Sequence, residues 1–196
     1  MRILFCGMPG RYAPPHLAAL LAAGLSVVGV AVPAPPGAPP VTRLPPLHRP
    51  PATLLGPPPG LLELAGAAGL PVIALRTMRH PAIAAELRTY ALDLVCVACW
   101  PWRIPPELLA LPRLGWLNSH PSRLPALRGS DPLAAALALG LQRTGVTIHW
   151  MDADLDTGPI VAQADLDLPP GSDYASAETR AAALAAHLLT TVVGAL

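Results

Sequence analysis

Short apolar runs alternate with stretches of helical composition along most of this chain, and that alternation limits the fold more than any other feature. Residues 2–7 form the first run; a Gly/Pro turn, the helical stretch 16–23 and a second run at 26–32 follow. A strand, a helix and a strand in that order open a parallel sheet, since parallel neighbours need a crossover and a helix usually supplies it. The pattern resumes with a helix near Gly60, a strand at 71–75, a helix over about 82–90, the strand 92–98 and the short apolar segment 115–118. Residues 132–140 read as helix, 145–151 and 160–168 as strands, and 175–193, rich in alanine and leucine, as a closing helix. The two late strands are joined by the short loop 152–159, which predicts an antiparallel pair at a sheet edge. The class is therefore α/β, a mostly parallel sheet flanked by helices with an antiparallel edge.

A chain of 196 residues with 53% apolar content is expected to pack as one domain over 1–196. Much of the surplus among its 27 prolines falls in 33–59, which reads as an irregular loop inside that domain. A formal charge of +1, with 13 arginines and no lysine, gives no basic stripe able to neutralise several phosphates. That excludes DNA as a partner and disfavours tRNA. The amino terminus is too short an apolar run for a signal peptide, and nowhere do about 18 apolar residues follow one another, so no membrane role and a cytoplasmic location are expected. Cys96 and Cys99 have C-x-x-C spacing but fall in or beside an apolar run, where residues three apart face opposite ways; core packing is expected of them. No metal site is expected either, because no H-E-x-x-H or paired C-x-x-C occurs. Gly7-Met8-Pro9-Gly10 lacks the spacing of a dinucleotide fingerprint.

Chemistry concentrates at Asn118, the chain's sole asparagine, which stands two residues before His120 at the expected carboxyl end of a strand. Open α/β sheets keep their sites at that end. A carboxamide offers two N–H donors to an oxyanion, and an imidazole can donate to the same oxygen or carry a proton. The pair suits acyl transfer. A third member, an acid that orients the histidine, has three candidates in Asp152, Asp154 and Asp156.

The runs N-S-H-P-S-R-L-P-A-L-R-G at 118–129, T-G-V-T-I-H-W-M-D at 144–152 and L-D-T-G-P-I at 155–160 together resemble the folate-dependent formyltransferases. M-R-I-L-F-C-G-M-P at the start and L-D-L-V-C-V-A-C-W with R-I-P at 92–105 extend the resemblance over nearly the whole chain. That family includes methionyl-tRNA, glycinamide ribonucleotide and sugar N-formyltransferases and formyltetrahydrofolate hydrolase, on a shared Rossmann-like formyl-transfer domain. The resemblance implies Asn118, His120 and Asp156 as catalytic residues. It implies a folate site built from Trp100, Trp102, Arg103 and Ile104 with Asp152, Ala153, Asp154 and Leu155, with Arg103 open between the folate chain or its glutamate and a surface role. It also implies 10-formyltetrahydrofolate as formyl donor, with no metal. Thr147 matches a hydroxyl position near the catalytic carboxylate, while His149, on the same strand, is open between a site role and strand packing.

Arg123 stands where the family pattern is usually apolar and Leu127 where it is usually aromatic, which bears on the pocket rim. Methionyl-tRNA formyltransferases carry a basic loop after the second strand and a carboxyl-terminal domain that helps to grip tRNA. The corresponding loop here is proline-rich with Arg43 and Arg49 alone, and the chain ends at Leu196. The expected acceptor is therefore a small primary amine. Methionyl-tRNA as acceptor, formyltetrahydrofolate hydrolysis, and a non-catalytic folate- or partner-binding domain are the competing readings.

Overall fold

A computed structural model describes residues 1–47 and 58–196. Among them, eight strands form one sheet flanked by six helices. In chain order the elements are β1 (Ile3–Gly7), α1 (Ala13–Ala22), β2 (Val27–Pro33), β3 (Val41–Leu44), α2 (Leu61–Ala67), β4 (Val72–Leu75) and α3 (Pro81–Arg88). They continue with β5 (Leu94–Ala98), α4 (Pro106–Leu109), β6 (Gly115–His120), α5 (Pro132–Ala138), β7 (Arg143–Trp150), β8 (Ile160–Asp167) and α6 (Tyr174–Gly194). The strand order is β3-β4-β2-β1-β5-β6-β7-β8. The five strands from β4 to β6 run parallel, as the alternation of runs predicts, and β6/β7 and β7/β8 are antiparallel.

The second antiparallel edge is new. Val41–Leu44, within the stretch expected to be irregular, pairs antiparallel with β4. Its V-T-R-L sequence is too short, and too hemmed by prolines, to stand out from the loop. Arg43 lies on this strand and reaches Glu86 of α3 at 3.0 Å; Arg49, with the rest of 48–57, lies outside the described residues.

β1 sits at the centre of the sheet because it can be buried on both faces: Ile3, Leu4, Phe5 and Cys6 have no exposed surface. Its alternate residues feed two cores. Ile3 and Phe5 face the layer of α1 and α6, with Cys96 of β5. Leu4 and Cys6 face Ile83 and Leu87 of α3 and Leu108 of α4. Between β1 and β5 the chain leaves for opposite halves of the sheet, a topological switch point where a crevice opens at the strand ends. The Met8 amide donates to the Cys99 carbonyl at 3.0 Å across that crevice.

Prolines outside the loop have a local task. Pro14, Pro81, Pro106 and Pro132 stand in the first turns of α1, α3, α4 and α5, where a missing N–H costs nothing. Asp131 caps α5 and Asp173 caps α6, accepting from the Ala134 amide at 3.1 Å and the Ser176 amide at 2.7 Å. The long α6 presents Ala177, Ala181, Ala182, Ala185 and Ala186 to the core, and these small residues let it lie close to α1 and the sheet. No helix among the described residues is long and apolar enough to cross a membrane.

One buried contact between α1 and the sheet is polar. His16 Nδ1 donates to the Tyr12 carbonyl at 2.8 Å, and His16 Nε2 lies 2.9 Å from Ser119 Oγ on β6. The Tyr12 hydroxyl lies 3.1 Å from the same Oγ. Burial pulls the His16 pKa down from 6.5 to about 4, against a smaller upward pull from the Tyr12 carbonyl.

Two measurements test this packing. Ala185→Leu forces a larger side chain into a wholly buried position and is expected to cost about 1–3 kcal/mol, read from the denaturant midpoint. A folded-state histidine pKa below its unfolded value means that the unfolded chain binds more protons between the two, so stability falls as pH drops from about 6.5 toward about 4. Denaturant midpoints taken across that window should decline for the wild type, and an unchanged midpoint would contradict the buried neutral imidazole.

Candidate active site

β6 is the strand that turns sequence into a site. Its residues alternate faces: Leu117 enters the core beside α1 and α6, Trp116 the core beside α3 and α4, and Trp116 Nε1 anchors to the Leu108 carbonyl of α4 at 2.9 Å. Asn118 and His120 therefore share a face and Ser119 takes the other. In register, Asn118 pairs with His149 and His120 with Thr147 of β7. Cross-strand partners have their side chains on one face, so the antiparallel pair brings four polar side chains together.

The first pair is bonded directly. Asn118 Nδ2 lies 3.1 Å from His149 Nε2, and His149 Nδ1 lies 2.9 Å from the Trp150 carbonyl. A carbonyl only accepts, so Nδ1 carries the proton. Burial lowers the His149 pKa, so the ring is neutral and Nε2 accepts from the Asn118 amide. This fixes which way round the carboxamide sits and leaves its second N–H for another acceptor. His149, which the sequence left open, thus belongs to the site; its periodicity is that of any strand residue and gave no sign of this.

His120 is nearly buried, 4% exposed, and its Nε2 donates to the Leu127 carbonyl at 3.0 Å. Nδ1 is the nitrogen turned to Asp156, 3.6 Å from Oδ2. That same Oδ2 accepts from the Gly129 amide at 3.0 Å, and Oδ1 lies 3.7 Å from His149 Nε2. Asp156 thus stands between two imidazoles.

The structure separates the three acidic candidates. The Asp152 carboxylate is turned to its own loop, accepting from the Asp154 amide at 3.1 Å and the Thr157 hydroxyl at 2.7 Å. Asp154 is exposed and lies 3.7 Å from Arg103 Nη1. Asp156 alone is buried, and its φ of 55° is left-handed, which costs a residue with a side chain about 1–2 kcal/mol. Cys99 and Leu127, also lining or supporting the site, have φ of 56° and 54°. Gly158 holds the loop's return: a Cβ there would collide with the Trp150 carbonyl oxygen.

The Thr147 hydroxyl, matched to a position near the carboxylate, spends its hydrogen bonds on the neighbouring loop and strand. It donates to the Ser122 carbonyl at 2.7 Å and accepts from the Leu124 amide at 3.1 Å and from Gln163 at 3.0 Å. It therefore braces the loop that carries Leu127 to His120. Arg123 points away, to Asp165 at 2.7 Å, and does not line the cavity. Leu127 gives His120 its backbone carbonyl, a contact that a leucine makes as well as an aromatic residue would.

These groups open onto a cavity of about 480 Å³, within the range of small-molecule sites. Trp100, Trp102, Arg103, Ile104, Asp152, Asp154 and Leu155 line it, and Ala153 does not. Trp100 and Trp102 meet edge to face at 5.5 Å, and the buried Trp100 Nε1–H has no partner among the described residues. Cys99 lies past the end of β5, an exposed thiol on the cavity wall, whereas Cys96 is core; both are free.

A family model described as formyl transferase matches residues 10–193. Methionyl-tRNA formyltransferases from Chloroflexus aggregans and Stutzerimonas stutzeri are 40% and 37% identical to the chain, over 98% and 100% of its length. The chain spans 58% of the length of each. Phosphoribosylglycinamide formyltransferase from Streptococcus pneumoniae TIGR4 superposes with a TM-score of 0.76 at 22% identity, covering 100% of this chain and 98% of that one. A formyltetrahydrofolate deformylase from Pseudomonas syringae gives 0.72 at 17% identity, covering 98% and 59%. The structural likenesses speak for the Rossmann-like formyltransferase fold, and the family match over nearly all of the chain shows that it belongs to the formyl transferase family.

Proposed function

We propose that residues 1–196 form a catalytic unit that transfers the formyl group of 10-formyltetrahydrofolate to a primary amine. The observation that carries this reading is the meeting of Asn118, His120 and Asp156 at the mouth of one cavity at a strand's carboxyl end. The cavity fits the donor's chemistry. Trp100, Trp102, Ile104 and Leu155 offer an apolar wall to a flat bicyclic ring. Arg103, at the mouth beside Asp154, is placed for an anionic tail.

In this reading the neutral amine attacks the formyl carbon, forming a C–N bond while the carbonyl pair moves onto oxygen. The free N–H of Asn118 and the Nδ1–H of a protonated His120 donate to that oxyanion. Asp156, whose Oδ2 lies 3.6 Å from that nitrogen, stabilises the charged imidazole electrostatically. Collapse breaks the bond to the folate nitrogen, which takes the pair, and a proton from the attacking amine reaches it by way of His120 and Asp156. The products are a formamide and tetrahydrofolate.

Among the described residues Arg103 is the one arginine on the cavity wall, which supports a small amine as acceptor. The 40% identity to a methionyl-tRNA formyltransferase supports a second reading, in which the acceptor is methionyl-tRNA. Water in place of the amine would make the same three residues a hydrolase. The absence of bonded cysteines among the described residues fits a reducing, cytoplasmic setting.

Consumption of 10-formyltetrahydrofolate by the protein, with and without a pool of amino sugars, amino acids and methionyl-tRNA, tests this. Amine-dependent loss is expected, and equal loss without amine would establish hydrolysis instead. Asn118→Ala should lower kcat about 100 to 1000-fold, as removal of one oxyanion donor does, and wild-type turnover in that variant would sink the assignment.

A further inference from the structure

We propose that Tyr12, His16 and Ser119 form a positioning network for formyl transfer, which holds the end of β6 so that Asn118 and His120 keep their separation and aim. The inference rests on the reading of the site given above. Ser119 is the residue between those two; its side chain turns toward α1, and both it and Tyr12 also border the cavity. All three members are buried, with 3%, 0% and 2% of their surfaces exposed.

The proton directions in the network follow from one another. The Tyr12 carbonyl can only accept, so His16 Nδ1 carries hydrogen. The neutral ring then accepts at Nε2, so the Ser119 hydroxyl donates to it. That uses the serine's single proton, and the Tyr12 hydroxyl must donate to Ser119 Oγ. Each contact admits one orientation, and all three close a circuit between a single turn of α1 and a single residue of β6.

Apolar side chains would fill the same space without the cost of burying three polar groups. Hydrogen bonds add direction, since their energy falls steeply with angle while apolar contact tolerates sliding. The end of β6 is where direction is in short supply. Its last register partner on β5 is Ala98, opposite Ser119, so His120 is paired on the β7 side alone. A fraction of an ångström at Ser119 passes through the peptide bonds to both neighbours.

Asn118 is the chain's sole asparagine, so incorporation of 15N-asparagine yields one side-chain NH2 signal pair that reports its surroundings. In Ser119→Ala that pair is expected to move, and kcat for formyl transfer to fall about 10-fold, while KM for the donor changes by less than about twofold. Ser119→Thr, which keeps the hydroxyl, should restore both. An NH2 pair superimposable on the wild type, or an undiminished kcat, would overturn the proposal, since a serine that only stabilises the fold lowers the unfolding midpoint and leaves both alone. If Ser119→Ala does not fold, Tyr12→Phe removes one hydroxyl at nearly constant volume; a displaced pair supports the network and an unmoved one overturns it. A wild-type protein without formyl transfer whose Asn118 signal still moves in Ser119→Ala would defeat the functional reading and leave the hold on Asn118 standing.

Discussion

The site depends on the register between β6 and β7. Pairing Asn118 with His149 and His120 with Thr147 places the carboxamide, both imidazoles and the loop-bracing hydroxyl on one face of the sheet. A slip of one residue would turn every one of them into the opposite core. Antiparallel geometry matters here as well as register. β7 runs back along β6 and ends beside Trp116 and Leu117, and the acidic loop that follows folds back over the pair to bring Asp156 beside His120.

Around that pair, the molecule uses rigid parts to hold polar ones. The parallel strands supply a buried platform, with β1 covered on both faces. Thr147 and Gln163 fasten residues 122–124, and the loop so fixed brings the Leu127 carbonyl to His120. His149 sets the carboxamide from the side. Each site residue thus has at least one partner whose own place is set by the sheet, the condition for donors that need no rearrangement as charge develops.

The parallel core was legible because its strands are continuous apolar runs between helical stretches, and the Asn118/His120 pair because a lone carboxamide beside an imidazole stands out. β3 was not legible: four residues between prolines carry no period, and its partner β4 lies far along the chain. Asp156 is a different case. The residues alone left three aspartates open, the resemblance singled out one, and burial with a left-handed backbone now distinguishes it from its neighbours. His149 and the Tyr12–His16–Ser119 contacts escaped for a common reason. Their meaning lies in partners 31 and 103 residues away, and local periodicity does not see across such distances.

The left-handed backbone of Asp156 has an evolutionary corollary. Glycine adopts that conformation without strain, so Asp156→Gly would relax the loop, yet it would delete the carboxylate between the two imidazoles. Selection for robustness and selection for chemistry therefore pull this one codon in opposite directions. On the proposed function, glycine at 156 would keep the fold and the cavity and lose the carboxylate that faces His120 and His149.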